Sequence, residues 1–128
     1  MSSSLTFQKQ ERLKSEKVIK DLFEKGSSFY LYPFKIFYIK SQEVTPAFPQ
    51  ILFSVSKRNF KRAVDRNRLK RQIREGYRIN KPELLKKIPP GIFPAVIGIM
   101  YVSKEKLPFS IIQNKLNLAF DCFESKSV

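Results

Sequence analysis

The sequence predicts a single α+β domain in which helices pack on a small sheet, and three features indicate this fold class. Segments with helical periodicity alternate with short runs of aromatic and β-branched residues. Apolar residues make up 42% of the 128 residues and aromatic residues 13%, which is enough for one modest hydrophobic core. No internal repeat or low-complexity linker divides the chain, so we expect one domain over residues 1–128, with residues 1–10 as a flexible N-terminal segment.

The N-terminal part of the chain predicts a helix followed by aromatic strand. Ser15 can cap a helix that runs to about Lys25 and stops at Gly26. Residues 28–40 are aromatic and β-branched, which favours strand, and Pro33 either sits on an edge or divides an irregular entry from the strand proper. The segment has room for two strands.

Beyond this proline the strand is apolar on both faces. Phe34, Ile36 and Tyr38 alternate onto one face, and Phe37 and Ile39 onto the other. One face can line the core. The other must be covered or must serve as a binding surface.

The rest of the chain predicts four elements after a loop over residues 41–50. Residues 51–56 alternate as a strand, and a highly basic helix follows from about Phe60 to Arg78. Pro82 is placed to open a separate short helix. Residues 92–102 read as a buried strand, and residues 108–124 as a final amphipathic helix. The inward-facing residues predicted for the strand are Ile51, Phe53 and Val55, and those for the last helix are Ile112, Leu116, Ala119, Phe120 and Phe123.

The strand–basic helix–strand unit suggests a parallel crossover. On base rates such a crossover is right-handed.

The charge balance is the strongest global property of the chain. Lysine and arginine number 25 against 11 acidic residues, for a net charge of +14. Such an excess opposes compaction and favours a polyanionic partner, with nucleic acid first and an anionic membrane second.

Absent residue types exclude several classes of site. The chain has no histidine and one cysteine, Cys122, so Cys/His zinc sites, internal disulfides and the usual Ser-His or Cys-His nucleophile pairs are excluded. The N-terminus lacks the apolar run of a signal peptide, and residues 92–102 are too short to span a bilayer as a helix. We therefore expect a cytoplasmic protein with no membrane partner.

The basic helix has a narrow apolar strip and a wide cationic arc. On a helical wheel Leu69, Ile73 and Tyr77, with Ala63 at the edge, gather on one side. Residues 57–78 hold ten basic side chains and two acidic ones, Asp65 and Glu75. The opposite side carries a wide arc of Asn67, Arg68, Lys70, Arg71, Arg74 and Arg78, which Lys61 extends, whereas Arg62 and Arg66 lie near the apolar flank.

The alternative interpretation is an ordinary solvated helix face. That interpretation predicts that positive and negative side chains alternate along the helix, with Glu four residues before Lys. Here the positive charges are segregated on one side, so they repel one another. Phosphates of a partner would neutralise the repulsion, and arginine can contact phosphate in bidentate fashion. A membrane helix would need a broad apolar face for lipid, so RNA or DNA is preferred. A DNA-reading helix-turn-helix is disfavoured because strand and loop precede the basic helix.

From Ser54 to Glu75, "SVSKRNFKRAVDRNRLKRQIRE", the sequence resembles the protein component of bacterial ribonuclease P. The family's signature pattern A-V-x-R-N-R-x-K-R-x-x-R is matched from Ala63 to Arg74. Upstream, "RLKSEKVIKDLFEKGSSF" is similar to the family's opening helix, and the likeness covers roughly residues 10–124.

The resemblance implies a two-layer α-β sandwich in the order αβββαβα, of the ribosomal protein S5 domain 2-like type. It also implies a left-handed βαβ crossover around the basic helix, which would overrule the base-rate expectation. The implied partners are the catalytic ribonuclease P RNA and precursor tRNA, and the implied activity is endonucleolytic release of the 5′ leader during tRNA maturation. Chemistry would be carried by the RNA and by Mg²⁺ bound mainly to that RNA. The protein itself is expected to be a monomer.

Carried over by position, the resemblance implies that the signature residues contact the catalytic RNA, and that Lys57, Arg58 and Arg62 add phosphate contacts beside it. The signature residues are Arg66, Asn67, Arg68, Lys70, Arg71 and Arg74. A cleft between the first helix and the sheet would hold the single-stranded leader, at Ile19, Phe23 and Phe37. The residues alone leave open that Phe23 and Phe37 are simply core. Two other functions also stay open: a ribosomal or RNA-chaperone protein with no cleavage role, and a stand-alone nuclease, for which no carboxylate cluster is recognisable.

Overall fold

The fold is a four-stranded sheet with helices packed against it. In a computed structural model, residues 16–40, 49–88 and 95–126 are described. Their order along the chain is αβββαβα, as predicted. The helices are α1 (Glu16–Lys25), α2 (Ala63–Lys86) and α3 (Phe109–Lys126), and the strands are β1 (Ser27–Leu31), β2 (Phe34–Lys40), β3 (Gln50–Val55) and β4 (Ala95–Tyr101).

The sheet has the strand order β1-β2-β4-β3. β1 and β2 form an antiparallel hairpin that turns at Tyr32 and Pro33, so the proline divides two strands. β2 pairs antiparallel with β4, whereas β3 pairs parallel with β4. A parallel pair requires a crossover connection, and α2 supplies it. The predicted parallel crossover is thereby confirmed, and its left-handed sense stays a prediction.

The main core lies between one face of the sheet and helices α2 and α3. Leu69, Ile73 and Tyr77 of α2 are buried in it, as the helical wheel predicts. The inward-facing residues predicted for β3 and for α3 are all buried there as well. Ala63, predicted at the edge of the apolar strip, is instead exposed, at the first position of the helix.

A second, smaller apolar cluster lies on the opposite face of the sheet, under α1. Val18 and Leu22 of α1 pack with Val96 of β4, and Phe37 and Ile39 of β2 border them. The two apolar faces of β2 are therefore both used, since Phe34 and Ile36 belong to the main core.

Gly98 of β4 permits the close approach of α1. A Cβ atom at this position would lie 3.0 Å from Cδ2 of the fully buried Leu22. A larger residue would therefore displace the helix from the sheet.

Two predicted helix boundaries are wrong. α2 begins at Ala63 and not near Phe60, because Phe60 is buried and its N–H donates to the carbonyl of Ser56 (3.1 Å) in a turn. α2 also continues through Pro82, where a separate helix was expected. Pro82 is exposed, and its neighbours Lys81 and Leu84 are fully buried, so tertiary packing outweighs the backbone hydrogen bond that the proline cannot donate.

Several predictions fall outside the described residues. These are the cap at Ser15, the N-terminal segment 1–10, most of the loop at 41–50, and the start of the strand predicted from residue 92.

Replacing Gly76 with alanine is expected to stabilise the fold. Gly76 lies inside α2 where α3 crosses it, and an added Cβ would lie 3.7 Å from Leu116 Cδ2 and 3.8 Å from Gln113 Cα, which are ordinary contacts. Because glycine is a poor helix former, we expect Gly76→Ala to raise the free energy of unfolding by about 0.5–1 kcal/mol, measured by urea denaturation. Gly98→Ala is the opposing control and should lower it. A loss of stability in Gly76→Ala would mean that the two helices approach more closely than described.

Candidate nucleic-acid interface

The predicted cationic residues all lie on the N-terminal half of α2 or on the turn before it. We call this set the basic face: Lys57, Arg58, Arg62, Arg66, Asn67, Arg68, Lys70, Arg71 and Arg74. Six of its members are exposed, and the half-buried ones are Arg66, Lys70 and Arg74. The apolar strip of α2 fixes the rotation of the helix, so that these side chains surround the solvent side.

Most of the basic face lacks a carboxylate partner, although Asp65 attracts Arg62 and Arg68. Asp65 accepts a hydrogen bond from the Lys106 ammonium at 2.9 Å, and Glu75 accepts two from the Arg78 guanidinium at 2.8 and 2.7 Å. These hydrogen bonds hold the pKa of each carboxyl below its usual value. Within residues 16–40, 49–88 and 95–126, no carboxylate forms an ion pair with Lys57, Arg58, Lys61, Arg62, Arg68, Lys70 or Arg71. The positive potential is therefore available to a ligand.

Arg66 differs from the other members because it also closes the turn that leads into α2. Its Nη1 donates to the carbonyls of Phe60 and Lys61, both at 2.8 Å. Arg62, at the N-cap, makes no side-chain capping bond. Arg66 therefore stabilises the start of the helix and offers only the rest of its guanidinium to a partner.

The turn that carries Lys57 and Arg58 is fastened to the end of β4. Asn59 Nδ2 donates to the carbonyl of Val102 at 3.1 Å. This contact joins residues that are 43 positions apart in the chain, and it positions the two cations beside the helix.

At the edge of the sheet, Arg74 packs against an aromatic ring. Its guanidinium carbon lies 5.9 Å from the centroid of Phe53 in β3, and Phe53 in turn contacts Tyr77 edge to face. The stem of Arg74 is thus held by the core while its charge remains on the basic face.

The predicted cleft residues come together on the other face of the sheet. The rings of Phe23 and Phe37 meet edge to face with centroids 4.8 Å apart, and Phe23 is 38% exposed. Ile19 is half-buried in the cluster beneath α1. We call this set of three residues the α1 cleft. An exposed aromatic pair of this kind can stack unpaired bases.

Two further residues extend the α1 cleft. Lys35 Nζ lies 5.2 Å from the centroid of the Phe37 ring, and Tyr30, 60% exposed, is the cross-strand partner of Lys35. Cross-strand partners share a face of the sheet, so both lie on the side of Phe37. The alternation of residues 28–40 places Lys35 on the same face as Phe37. It does not show that Tyr30 lies opposite Lys35, because that register is set by the turn at Pro33.

Comparison with known proteins decides the family. The Ribonuclease P family model matches residues 7–124, nearly the whole chain. The chain belongs to the ribonuclease P protein family. Membership implies a role in tRNA processing and an RNA partner.

Individual relatives agree with this family. The chain is 37% identical over 118 residues to the ribonuclease P protein component of Porphyromonas gingivalis, covering 91% of this chain and 86% of that protein. It is 44% identical over 82 residues to the corresponding protein of Chlorobium phaeobacteroides, covering 62% of this chain and 56% of that protein.

The fold is also shared with solved structures. The RNase P protein of Thermotoga maritima superposes with a TM-score of 0.67 at 25% identity, covering 88% of this chain and 96% of that one. The Staphylococcus aureus RNase P protein superposes with a TM-score of 0.69 at 24% identity, covering 88% of this chain and 94% of that one.

Two residues beside the basic face could not be identified as candidate functional residues from the sequence. Lys106 belongs to the loop after β4 and reaches Asp65 across 41 positions of the chain. Phe109, the first residue of α3, lines a cavity with Arg71. The run "KEK" at residues 104–106 shows that basic residues follow β4. It does not show that they lie beside α2, because that position depends on the packing of α3.

The described residues contain neither a candidate membrane span nor a cluster of metal ligands. No helix among them is long and apolar enough to cross a bilayer. Nor do three or more cysteine, aspartate or glutamate side chains come together in these ranges in a way that could hold a metal ion.

Proposed function

We propose that this chain is the protein subunit of ribonuclease P. It binds the catalytic RNA through the basic face and the 5′ leader of precursor tRNA in the α1 cleft. It thereby assists the Mg²⁺-dependent endonucleolytic cut that leaves the mature 5′ end of the tRNA. The observation that carries the proposal is the basic face, whose two acidic neighbours are each engaged by another cation.

The proposed division of labour follows from the side chains. Guanidinium and ammonium groups bind phosphates and lower the repulsion between two RNAs, whereas they are poor general bases at neutral pH. The protein therefore holds the catalyst and the substrate together. Hydrolysis is assigned to the RNA and to Mg²⁺ held mainly by that RNA.

The two surfaces suit two different RNA segments. The basic face lies on α2, in the helical layer, whereas the α1 cleft lies on the opposite face of the sheet. Arginine-rich surfaces suit the closely spaced phosphates of a folded RNA, and exposed rings suit unpaired bases. One small domain can therefore contact structured RNA and a single strand at once.

Reconstitution tests the proposal. The purified protein is mixed with its cognate ribonuclease P RNA and a precursor tRNA at low Mg²⁺ concentration and physiological salt. We expect cleavage at the mature 5′ end that needs both components. RNA binding without any stimulation over the RNA alone would favour the RNA-chaperone interpretation, and cleavage by the protein alone would favour the nuclease.

Phe37→Ala is expected to reduce recognition of the leader. Loss of one stacking ring costs roughly 1–3 kcal/mol, so the holoenzyme should lose about tenfold in affinity for precursor tRNA with a leader. Affinity for tRNA that lacks a leader should hardly change. Both affinities are measured by equilibrium binding to the holoenzyme.

Phe37→Tyr is the matched control, because it retains the ring and should bind both substrates as the wild type does. An equal loss of the two substrates in Phe37→Ala would contradict the assignment of the α1 cleft to the leader.

A further inference from the structure

A groove runs between α2 and the start of α3. The larger of its two parts is an open cavity of about 290 Å³ that is lined by Arg71, Gln72, Glu75 and Phe109. A second cavity of about 210 Å³ adjoins it, lies between Arg68 and Lys106, and shares Gln72. The groove therefore follows one flank of the basic face for about three turns of α2.

The larger cavity has the size and the chemistry of a site for one nucleobase. Its volume equals that of roughly ten liquid waters, which is enough for a planar ring system of roughly ten non-hydrogen atoms. The half-buried ring of Phe109 supplies a stacking surface. Gln72 supplies an amide that can both donate to and accept from a base edge.

The charges around the groove favour a nucleotide and not a neutral ligand. Arg68, Arg71 and Lys106 border it and are exposed. Asp65 accepts a hydrogen bond from Lys106, whose ammonium has three donors. Glu75, which lines the larger cavity, is already paired with Arg78. The groove is therefore positively charged beside an apolar ring.

The position of the groove favours the catalytic RNA over the leader of precursor tRNA as its ligand. It lies in the layer of α2 and α3, on the opposite side of the sheet from the α1 cleft. A leader bound in the α1 cleft would have to pass around the sheet to reach it. The RNA that occupies the basic face is directly adjacent.

We infer that the groove takes an unpaired nucleotide of the catalytic RNA. Its base stacks on Phe109, its edge bonds to Gln72, and the flanking phosphates lie on Arg68, Arg71 and Lys106. The inference rests on the proposed function, because it names a contact of the same RNA partner. It extends the interface from α2 to the β4–α3 loop and to the first turn of α3.

The test uses the full-length protein and its cognate ribonuclease P RNA, without precursor tRNA. Affinity is measured over a range of salt concentrations, and base-specific chemical probing locates nucleotides that the protein protects. We expect Phe109→Leu and Gln72→Ala each to lower affinity, roughly 5- to 100-fold for the loss of the stacked ring. Both should expose the same single nucleotide. The salt dependence should stay that of the wild type, because no phosphate contact is lost.

Leu118→Ala is the matched control, since Leu118 is an exposed apolar residue of α3 outside the groove. It should bind and protect as the wild type does. Phe109→Leu retains apolar packing, and thermal unfolding verifies that it is folded. Gln72 is only half-buried, so its replacement tests the site even if Phe109→Leu is unstable.

Wild-type affinity and protection in both variants would overturn the inference while leaving the proposed function intact. Exposure of different nucleotides by the two variants would overturn it as well. If the wild-type protein neither binds the RNA nor stimulates cleavage, the proposed function itself fails. The two failures are therefore distinguishable.

Discussion

The double variant Arg68→Ala/Arg71→Ala is expected to lose on the order of a hundredfold in affinity for the catalytic RNA. Both side chains are exposed on the basic face, and no carboxylate of the described residues pairs with either. A hydrogen bond to a charged group contributes about 1.5–3 kcal/mol, so each arginine accounts for at least about tenfold. The loss of two phosphate contacts should also reduce the slope of log affinity against log salt by about 1.4–1.8.

The control for this variant removes the same charge elsewhere. Lys25 and Lys86 are exposed, each lies within 4 Å of a neighbouring carboxylate on its own helix, and neither belongs to the basic face. Lys25→Ala/Lys86→Ala therefore has the same net charge as the double arginine variant. It should bind RNA almost as the wild type does. Equal losses in the two variants would show that only net charge matters, and an unchanged salt slope in the arginine variant would place Arg68 and Arg71 outside the interface.

Leu22→Ala is expected to lower the free energy of unfolding substantially and to damage leader binding. Leu22 is fully buried between α1 and the sheet, in a cluster with only two other fully buried members, Val18 and Val96. Truncation of a buried leucine costs about 2–5 kcal/mol through lost transfer energy and the cavity left behind. Since this cluster attaches α1 to the sheet, the helix should open locally, and hydrogen exchange of its amides should accelerate before the main core unfolds. Urea denaturation measures the global loss.

Leu116→Ala distinguishes a damaged cleft from a weaker fold. Leu116 is also fully buried, but it lies in the main core between α2 and α3. We expect a similar loss of stability without a selective loss of leader-bearing precursor tRNA. In Leu22→Ala the affinity for that substrate should fall while binding to the catalytic RNA is retained, measured at a temperature where both variants are folded. If the Leu22→Ala protein still recognises the leader although the amides of α1 exchange rapidly, then α1 does not form the leader site.

The sequence predicts most of the architecture because burial imposes a periodicity on it. Leu69, Ile73 and Tyr77 recur at helical spacing, and Phe34, Ile36 and Phe37 alternate at strand spacing, so their faces could be assigned without coordinates. The continuation of α2 through Pro82 could not be predicted in this way. A proline costs a helix about 3 kcal/mol locally, and tertiary packing, such as the burial of Leu84 in the main core, offsets that cost.

The basic face was also predictable, since it is contiguous in sequence, whereas its surroundings were not. Arg66 and Arg68 are equivalent members of one motif, but in the structure Arg66 closes the entry turn and Arg68 borders the groove beside Lys106. Their different surroundings arise from the rotation of the helix, which places neighbours two residues apart on different flanks.

By itself, the sequence predicted the order of the elements, a polyanionic partner and the helix that we propose binds it. These depend on local periodicity and on the segregation of charge, which are properties of neighbouring residues. Only the tertiary structure decided that Phe23 meets Phe37, that Asn59 fastens the turn of Lys57, and that Phe109 faces Arg71 across a groove. Each of these contacts joins residues far apart in the chain. Their geometry is set by the register of the sheet and by the close packing of helices on it, and neither leaves a periodic pattern in the sequence.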